Sequence, residues 1–432
     1  MKRSVLCGLC ELCVLLLLAP QRAAAQAVRE ANACVACHST LPDQRLAAPA
    51  ALFAGADVHR DRGFACVDCH GGNPAASDKV RAHDATGREA APPFKGKPAG
   101  QAIVTTCARC HSDAELMRKF APRQRVDQAT EYASSVHGKQ LARGDSRVAT
   151  CASCHGAHGV RLVNDAKSPV FATNVAATCA TCHANEKHMA GYMLSGGSPL
   201  PTNQLADYRK SVHYTALTKA NDLSAPTCND CHGNHGAAPP GVGSIANVCG
   251  TCHTVFAQKF ETSVHRQIFD KGCVECHGNH AVLKPSDEML GASGHAICAT
   301  CHSGSGNDVD KGAQAADGMR AGIEHLKGGI DRSDTLVARI RNAGIAVSDD
   351  ELALREARTK LTLARMEMHA ADPARVHVVL AEGTTIVAGV DRNAQRGVEE
   401  LQYRRRGLAL SLGAILLVVV ALALKVRQID RR

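Results

Sequence analysis

Nine C-x-x-C-H motifs punctuate the chain, with cysteine pairs Cys34/Cys37, Cys66/Cys69, Cys107/Cys110, Cys151/Cys154, Cys179/Cys182, Cys228/Cys231, Cys249/Cys252, Cys273/Cys276 and Cys298/Cys301. The histidines that close them are His38, His70, His111, His155, His183, His232, His253, His277 and His302. This spacing is the attachment signal for c-type haem. Both thiols bond the porphyrin's vinyl groups, and the adjacent imidazole takes the iron as proximal ligand. An exported disulfide scaffold or a set of zinc ribbons would also use C-x-x-C pairs, but neither asks for a histidine after every pair. The cofactor expected is haem c, nine per chain, covalently attached.

A proximal ligand leaves the opposite face of the iron open, so thirteen histidines outside the motifs matter next. Residues 211–253 contain two motifs and two spare histidines, His213 and His235. His235 lies three residues after His232, too short a segment to reach round the same macrocycle. As a ligand it must serve a different haem, tying neighbours into one array.

That unit recurs, and an internal repeat takes precedence over local secondary structure in reading a fold. One copy has Ser135-Val136-His137, CASCHGAH with His155 and His158, then CATCH ending at His183. Another has Ser263-Val264-His265, CVECHGNH with His277 and His280, then CATCH ending at His302. A weaker copy has Val58-His59, CVDCHGG with His70, then His83 and CARCH ending at His111. The motif at Cys34 stands alone in front. An aromatic residue (Tyr132, Tyr208 or Phe260) precedes each Ser-Val-His, four residues before the valine, which predicts both on one face of a short helix. The distal ligands expected are His59, His83, His137, His158, His213, His235, His265 and His280. For the ninth iron the choice is His369 first, then His377 and His325, with His295, His188 or no ligand as alternatives.

Only 3% of residues are aromatic and there is no Trp. That is a poor conventional core for 432 residues, and haem would supply the missing flat apolar bodies. Between motifs the chain is rich in Gly, Pro and small residues, so helices should be short, with no alternating pattern for a sheet. The fold class expected is mainly α with extensive irregular structure. A nonahaem domain over residues 26–305 is followed by a helical hairpin or bundle over 306–403. In that second region Ile323, Leu326, Ile330, Val337 and Ile340 keep a 3/4 spacing, as do Leu354, Ala357, Leu361, Ala364 and Met368. Ser348 with Glu351 reads as a capping box, and Asp372-Pro373 as an N-cap with first-turn proline. A third seam runs through Val376, Leu380, Val387, Val390 and Leu401, weakened by Gly383 and two threonines.

The two ends concern location. Residues 1–25 have a basic start, an apolar run and an Ala23-Ala24-Ala25 cleavage site, the pattern of a secretory signal that would also remove Cys7, Cys10 and Cys13. Residues 407–424 carry no charge and are bracketed by Arg404, Arg405 and Arg406 on one side and Lys425 and Arg427 on the other. A transmembrane helix over 404–426 is expected, with tail 427–432 in the cytoplasm and the haem domain on the periplasmic side of the inner membrane. The formal charge of +9 does not describe the mature holoprotein. The leader takes three basic residues and one acidic one, and two propionates per haem would reverse the sign. A basic redox partner is therefore as compatible as an acidic one.

With the repeats in view, residues 34–302 resemble the multihaem cytochrome c family with doubled C-x-x-C-H motifs. Ser-Val-His before a motif and CHGNH or CHGAH within it carry the resemblance, which extends to class III cytochromes and to electron-transfer subunits of respiratory reductases. It implies bis-histidine haems in a wire between membrane quinone chemistry and a periplasmic redox protein or reductase. The better-known quinol-dehydrogenase cytochromes carry an N-terminal anchor, whereas this one is C-terminal. That makes a separate quinone-reactive or cytochrome subunit in the inner membrane an expected partner; nucleic acid is not. An electron carrier rather than an enzyme is the expectation, since irons ligated on both faces have no place for substrate. The other reading is a reductase or oxidase of a small nitrogen or sulfur compound with one five-coordinate haem; no C-x-x-C-K motif occurs in support of it.

Overall fold

The computed structural model describes residues 33–87, 91–238, 245–302 and 310–431; the expected leader and the expected domain boundary at 305/306 lie outside the described residues. Among the described residues there is no strand, only an isolated bridge between Met193 and Pro199. Up to residue 302 no described helix exceeds the 13 residues of Gln44–Ala56. Frequent glycines and prolines cut the chain into single turns, and side-chain caps such as Asp43, Asp57, Asp78 and Asp113 start many of them.

The described chain forms two compact units, 1–240 with 280–282, and 241–279 with 283–432. In the first, each repeat is stitched to the following one by the same backbone bond. The N–H of the valine in Val-His donates to the carbonyl two residues beyond the G-x-H histidine. Val58 bonds Val160 at 2.8 Å, Val136 bonds Ala237 at 3.0 Å and Val212 bonds Val282 at 2.8 Å.

The aromatic and valine of each repeat do not share a helix. Gln128–Ser134 ends and Val136–Ala142 begins at Ser135, whose ψ of 164° breaks the path and whose Oγ accepts from the Gly138 N–H. The serine's preference for the N-cap position overrides helix continuity. Tyr132 instead donates from Oη to the Ala149 carbonyl at 2.8 Å, and Tyr208 to Pro226 at 2.9 Å, each two residues before a motif cysteine.

The second unit contains three long helices, Lys311–Asn342, Ser348–Glu367 and Pro373–Asp430. Their buried positions keep a strict heptad rhythm. It runs Ile323, Leu326, Ile330, Ser333, Val337, Ile340 in the first, Asp350, Leu354, Ala357, Leu361, Ala364 in the second, and Val376 to Leu401 in the third. Such a repeat keeps one seam facing its partners and winds helices into a coiled coil. Two polar contacts sit in the seam. Ser333 donates to Asp391 at 2.5 Å, and Asn393 donates to Asp350 at 3.0 Å; such groups fix register at some cost in stability.

Two details of the sequence reading change. The second helix begins at Ser348 with Val347 at its N-cap, and Val347 has no side chain to cap it, so there is no capping box. Gly383, whatever it costs the third helix, lets it approach the first. A Cβ there would lie 2.7 Å from Leu326 Cδ2 and 3.2 Å from Lys360 Cβ.

The third helix does not stop where the bundle does. Its 58 residues pass unbroken through the arginines and the apolar run to Asp430, so no structural boundary falls at 403/404 or 426/427. The part beyond Leu401 is exposed and is apolar and long enough to cross a membrane. At 1.5 Å per residue the whole helix measures about 87 Å.

Candidate haem-ligating site

The C-x-x-C-H sequence works because of what one helical turn does with it. Cys66–His70, Cys151–His155 and Cys228–His232 are five-residue helices, and positions i, i+3 and i+4 of a helix share a face. Both thiols and the imidazole therefore project together. The third residue holds the start of the turn: Asp68 accepts from the Ala65 N–H at 2.7 Å, Ser153 from Thr150 at 3.0 Å and Asp230 from Thr227 at 2.8 Å. The glycine after the histidine ends it. Gly71, Gly156, Gly233 and Gly278 have φ of 70°, 80°, 83° and 71°, a left-handed turn that a Cβ resists. The chain is thereby sent away from the proximal histidine it has just placed.

The consequence is a set of paired imidazoles. In the first unit His38 faces His83, His111 faces His59, His183 faces His137, His155 faces His235 and His232 faces His280, with ring centroids 6.1 Å apart in every case. His70 faces His158 at 5.9 Å. In the second unit His302 faces His265 and His277 faces His369, again at 6.1 Å. Eight local settings converge on one separation, too wide for a hydrogen bond between rings. Two imidazoles holding one metal from opposite sides at about 2 Å each require roughly 6 Å between centroids. The residues fit the haem iron.

Partner choice follows the repeat. Each G-x-H histidine faces the motif of the preceding repeat, not its own: His158 goes to His70, His235 to His155 and His280 to His232. His369 does for His277 what a further repeat would have done. His59, His137 and His265 instead face the second motif of their own repeat. Of the expected ligands, His213 lies half-buried on Val212–Lys219, and His253 sits at the N-cap of Thr254–Glu261 with its ring 6.2 Å from Phe256. His295, His325 and His377 are exposed and His188 lies on Glu186–Met189; none of the eight pairs includes them.

The two kinds of pair differ in geometry. Where a G-x-H histidine or His369 takes part, the rings are nearly parallel, at 8°, 11°, 17° and 12°. Where a Val-His histidine takes part they are crossed, at 85°, 62° and 54°. The His38–His83 pair is also crossed, at 57°.

Ring orientation is fixed from the far side. His38 Nδ1 donates to the Leu46 carbonyl at 3.1 Å, His70 to Gly96 at 2.9 Å, His83 to Lys79 at 2.8 Å, His232 to Ala238 at 3.2 Å and His369 to Met366 at 3.2 Å. A carbonyl only accepts, so the proton sits on Nδ1 and the Nε2 lone pair is free for a metal. Burial also pushes His111, His137, His155, His158, His183, His265, His277, His280 and His369 below the ordinary histidine value, keeping them in the neutral, ligating form.

The thiols agree with this arrangement. None of the 18 motif cysteines forms a disulfide, and among the described residues no three His, Cys, Asp or Glu gather as zinc ligands would. The first cysteines of successive motifs hydrogen-bond in pairs, Cys34 with Cys66, Cys107 with Cys151, Cys179 with Cys228 and Cys249 with Cys273. The attachment edges of consecutive motifs are therefore adjacent.

The two thiols of a motif keep different company. The second cysteines, Cys37, Cys69, Cys110, Cys154, Cys182, Cys231, Cys252, Cys276 and Cys301, take no part in those four pairs. Cys37, Cys69, Cys231, Cys252 and Cys301 are exposed, whereas Cys110, Cys154, Cys182 and Cys276 are half-buried. The reason is the helical turn itself. Three residues carry the second thiol about one turn along the helix, away from the neighbouring motif's first thiol. Burial pushes the Cys276 thiol up to about 11. Spacing alone thus gives the face that the two thiols share but not the different company they keep.

A model of the doubled CXXCH motif matches residues 265–307. This chain carries the doubled motif of the multihaem c-type cytochromes. No curated protein and no solved structure matches it. The match supports covalent haem c at the paired motifs and an electron-transfer role.

Several residues escaped the sequence reading. The bundle grips the segment that carries the last three motifs through Arg365, which makes two bonds to Asp287 at 2.8 and 2.7 Å, and through Lys259 with Glu367 at 2.5 Å. Both hold the helix end that presents His369. Phe256 lies against His369 at 4.9 Å. Asp310 caps the first bundle helix while its carboxylate lies 3.3 Å from His302 Nδ1. Asp57 is buried against His59. Burial alone would raise its carboxyl, but bonds from the His59 ring and from the His59 and Val160 N–H groups outweigh that and leave it below the usual range.

Proposed function

We propose that the protein is a membrane-anchored electron relay: nine c-type haems, each held between two histidines, pass electrons between a quinone-reactive or cytochrome subunit of the inner membrane and a periplasmic redox protein or reductase. The observation that carries this is the set of eight facing imidazole pairs at 5.9–6.1 Å. Haem supplies the one-electron iron couple. The protein's histidines decide what that couple can do, because an iron taken on both faces has no position for substrate. His213, the remaining Val-His histidine, supplies the last distal ligand in this reading. Two imidazoles also lack the thioether that raises the potential of His/Met haems, which favours low potentials.

The unbroken helix from bundle to apolar run supports anchoring, and the secretory pattern of residues 1–25 supports an extracytoplasmic side for the motif-bearing segments. Carbon monoxide tests the relay. Added to the dithionite-reduced holoprotein, it should leave the Soret and α bands unchanged. Binding of one equivalent per chain would show an open iron and favour the reductase or oxidase reading.

A further inference from the structure

Asp57 stands where the other repeats carry serine. The residue before Val58-His59, Val136-His137, Val212-His213 and Val264-His265 is Asp57, Ser135, Ser211 and Ser263 respectively, and all four are buried. All four also cap the helix that follows. Ser135 Oγ accepts from the Gly138 N–H at 2.9 Å, Ser211 from Tyr214 at 3.0 Å and Ser263 from His265 at 3.1 Å. Asp57 Oδ1 accepts from the His59 N–H at 2.9 Å. Capping therefore does not require a carboxylate at this place.

The aspartate makes two further contacts. Its Oδ1 lies 3.0 Å from His59 Nδ1, and its Oδ2 accepts from the Val160 N–H at 3.0 Å, two residues beyond His158. The side chain is only 2% exposed, so water does little to screen its charge. Other carboxylates near these imidazoles are placed differently. Asp310 is 3.3 Å from His302 with 29% of its side chain exposed. Glu131 is 3.7 Å from His235, and its other oxygen is taken by Arg125.

We propose that Asp57 is a potential-setting residue: through His59 Nδ1 it lowers the reduction potential of the haem between His59 and His111 relative to its serine-bearing equivalent between His137 and His183. A carboxylate accepting the Nδ1 proton makes the other ring nitrogen a stronger donor. A stronger donor and a nearby buried negative charge both favour Fe(III) over Fe(II). The step is a single electron on the iron, with no proton or co-reactant consumed. The inference rests on the bis-histidine reading of His59 and His111 and adds to it.

Asp57→Ser restores what three other repeats already have, so the cap is retained. In spectroelectrochemical reduction of the holoprotein, one-ninth of the α-band change should move to higher potential. At the poise where the native component is half reduced, its reduced-to-oxidised ratio should rise roughly tenfold, the difference between a charge-assisted and a neutral hydrogen bond. Asp57→Glu should return the curve toward native. A superimposable curve in Asp57→Ser, with haem content and low-spin signals intact, overturns the proposal. A low-spin signal lost in Asp57→Ser would instead mean that His59 has left the iron; Asp57→Asn, which keeps an acceptor for the capping N–H, then decides by the same two outcomes. Absence of a low-spin signal at this haem in the native protein would be a failure of the bis-histidine reading itself.

Discussion

Replacing His369 by alanine should leave one haem per chain high-spin and the rest unchanged. His369 faces His277 at 6.1 Å with the rings 12° from parallel, donates from Nδ1 to the Met366 carbonyl and lies half-buried against Phe256. His325 and His377 are exposed on their helices, and neither is paired with His277. The effect should be confined to one site, because Leu354, Ala357, Leu361 and Ala364, which pack the second bundle helix, are untouched. The reduced variant should bind one equivalent of carbon monoxide, which the native protein should refuse. A variant that stays wholly low-spin would move this ligand elsewhere.

The second large effect is on folding. Among the described residues, the one extended cluster of buried apolar side chains runs from Ile323 to Ala394, wholly inside the bundle. Before it, burial is scattered over single residues such as Val104, Met117, Leu141, Val175 and Leu217. A chain made without haem attachment should therefore lose structure unevenly. Residues 33–302 should be digested within the first minutes of limited proteolysis, while a fragment covering 311–401 survives and keeps its helical circular dichroism. Binding free energy supplied by a cofactor is folding free energy for a scaffold with so little core of its own. Resistance of the 33–302 segment in the haem-free chain would show a core that the described side chains do not reveal.

The contrast between those two regions also explains what could be read from the sequence. Heptads in the bundle are a periodic signal, and Asp372-Pro373 marks its last helix start without ambiguity. Histidine pairing was legible in outline, because the two residues between His232 and His235 are too few to let them share a haem and the repeat supplies the next candidate. What spacing could not give was direction. Nothing in CHGNH says that the histidine reaches the preceding repeat; that follows from the left-handed glycine and the valine-to-carbonyl bond between repeats. The supposed helix through Tyr132 and Val136 failed for a local reason, since Ser135 caps a new helix at the point where periodicity alone would continue the old one. Asp57 carries no signal of its own in the repeat, because it breaks the Ser-Val-His pattern that marks the other copies. Set beneath Ser135, Ser211 and Ser263, it is the one charged member of a column of hydroxyls.

Electron paramagnetic resonance of the fully oxidised holoprotein, with spins counted against haem, tests the account most directly. Low-spin signals alone are expected, in two groups that correspond to the near-parallel and the crossed imidazole pairs. A high-spin signal of one spin per chain would contradict it, because one iron would then be open to chemistry of its own.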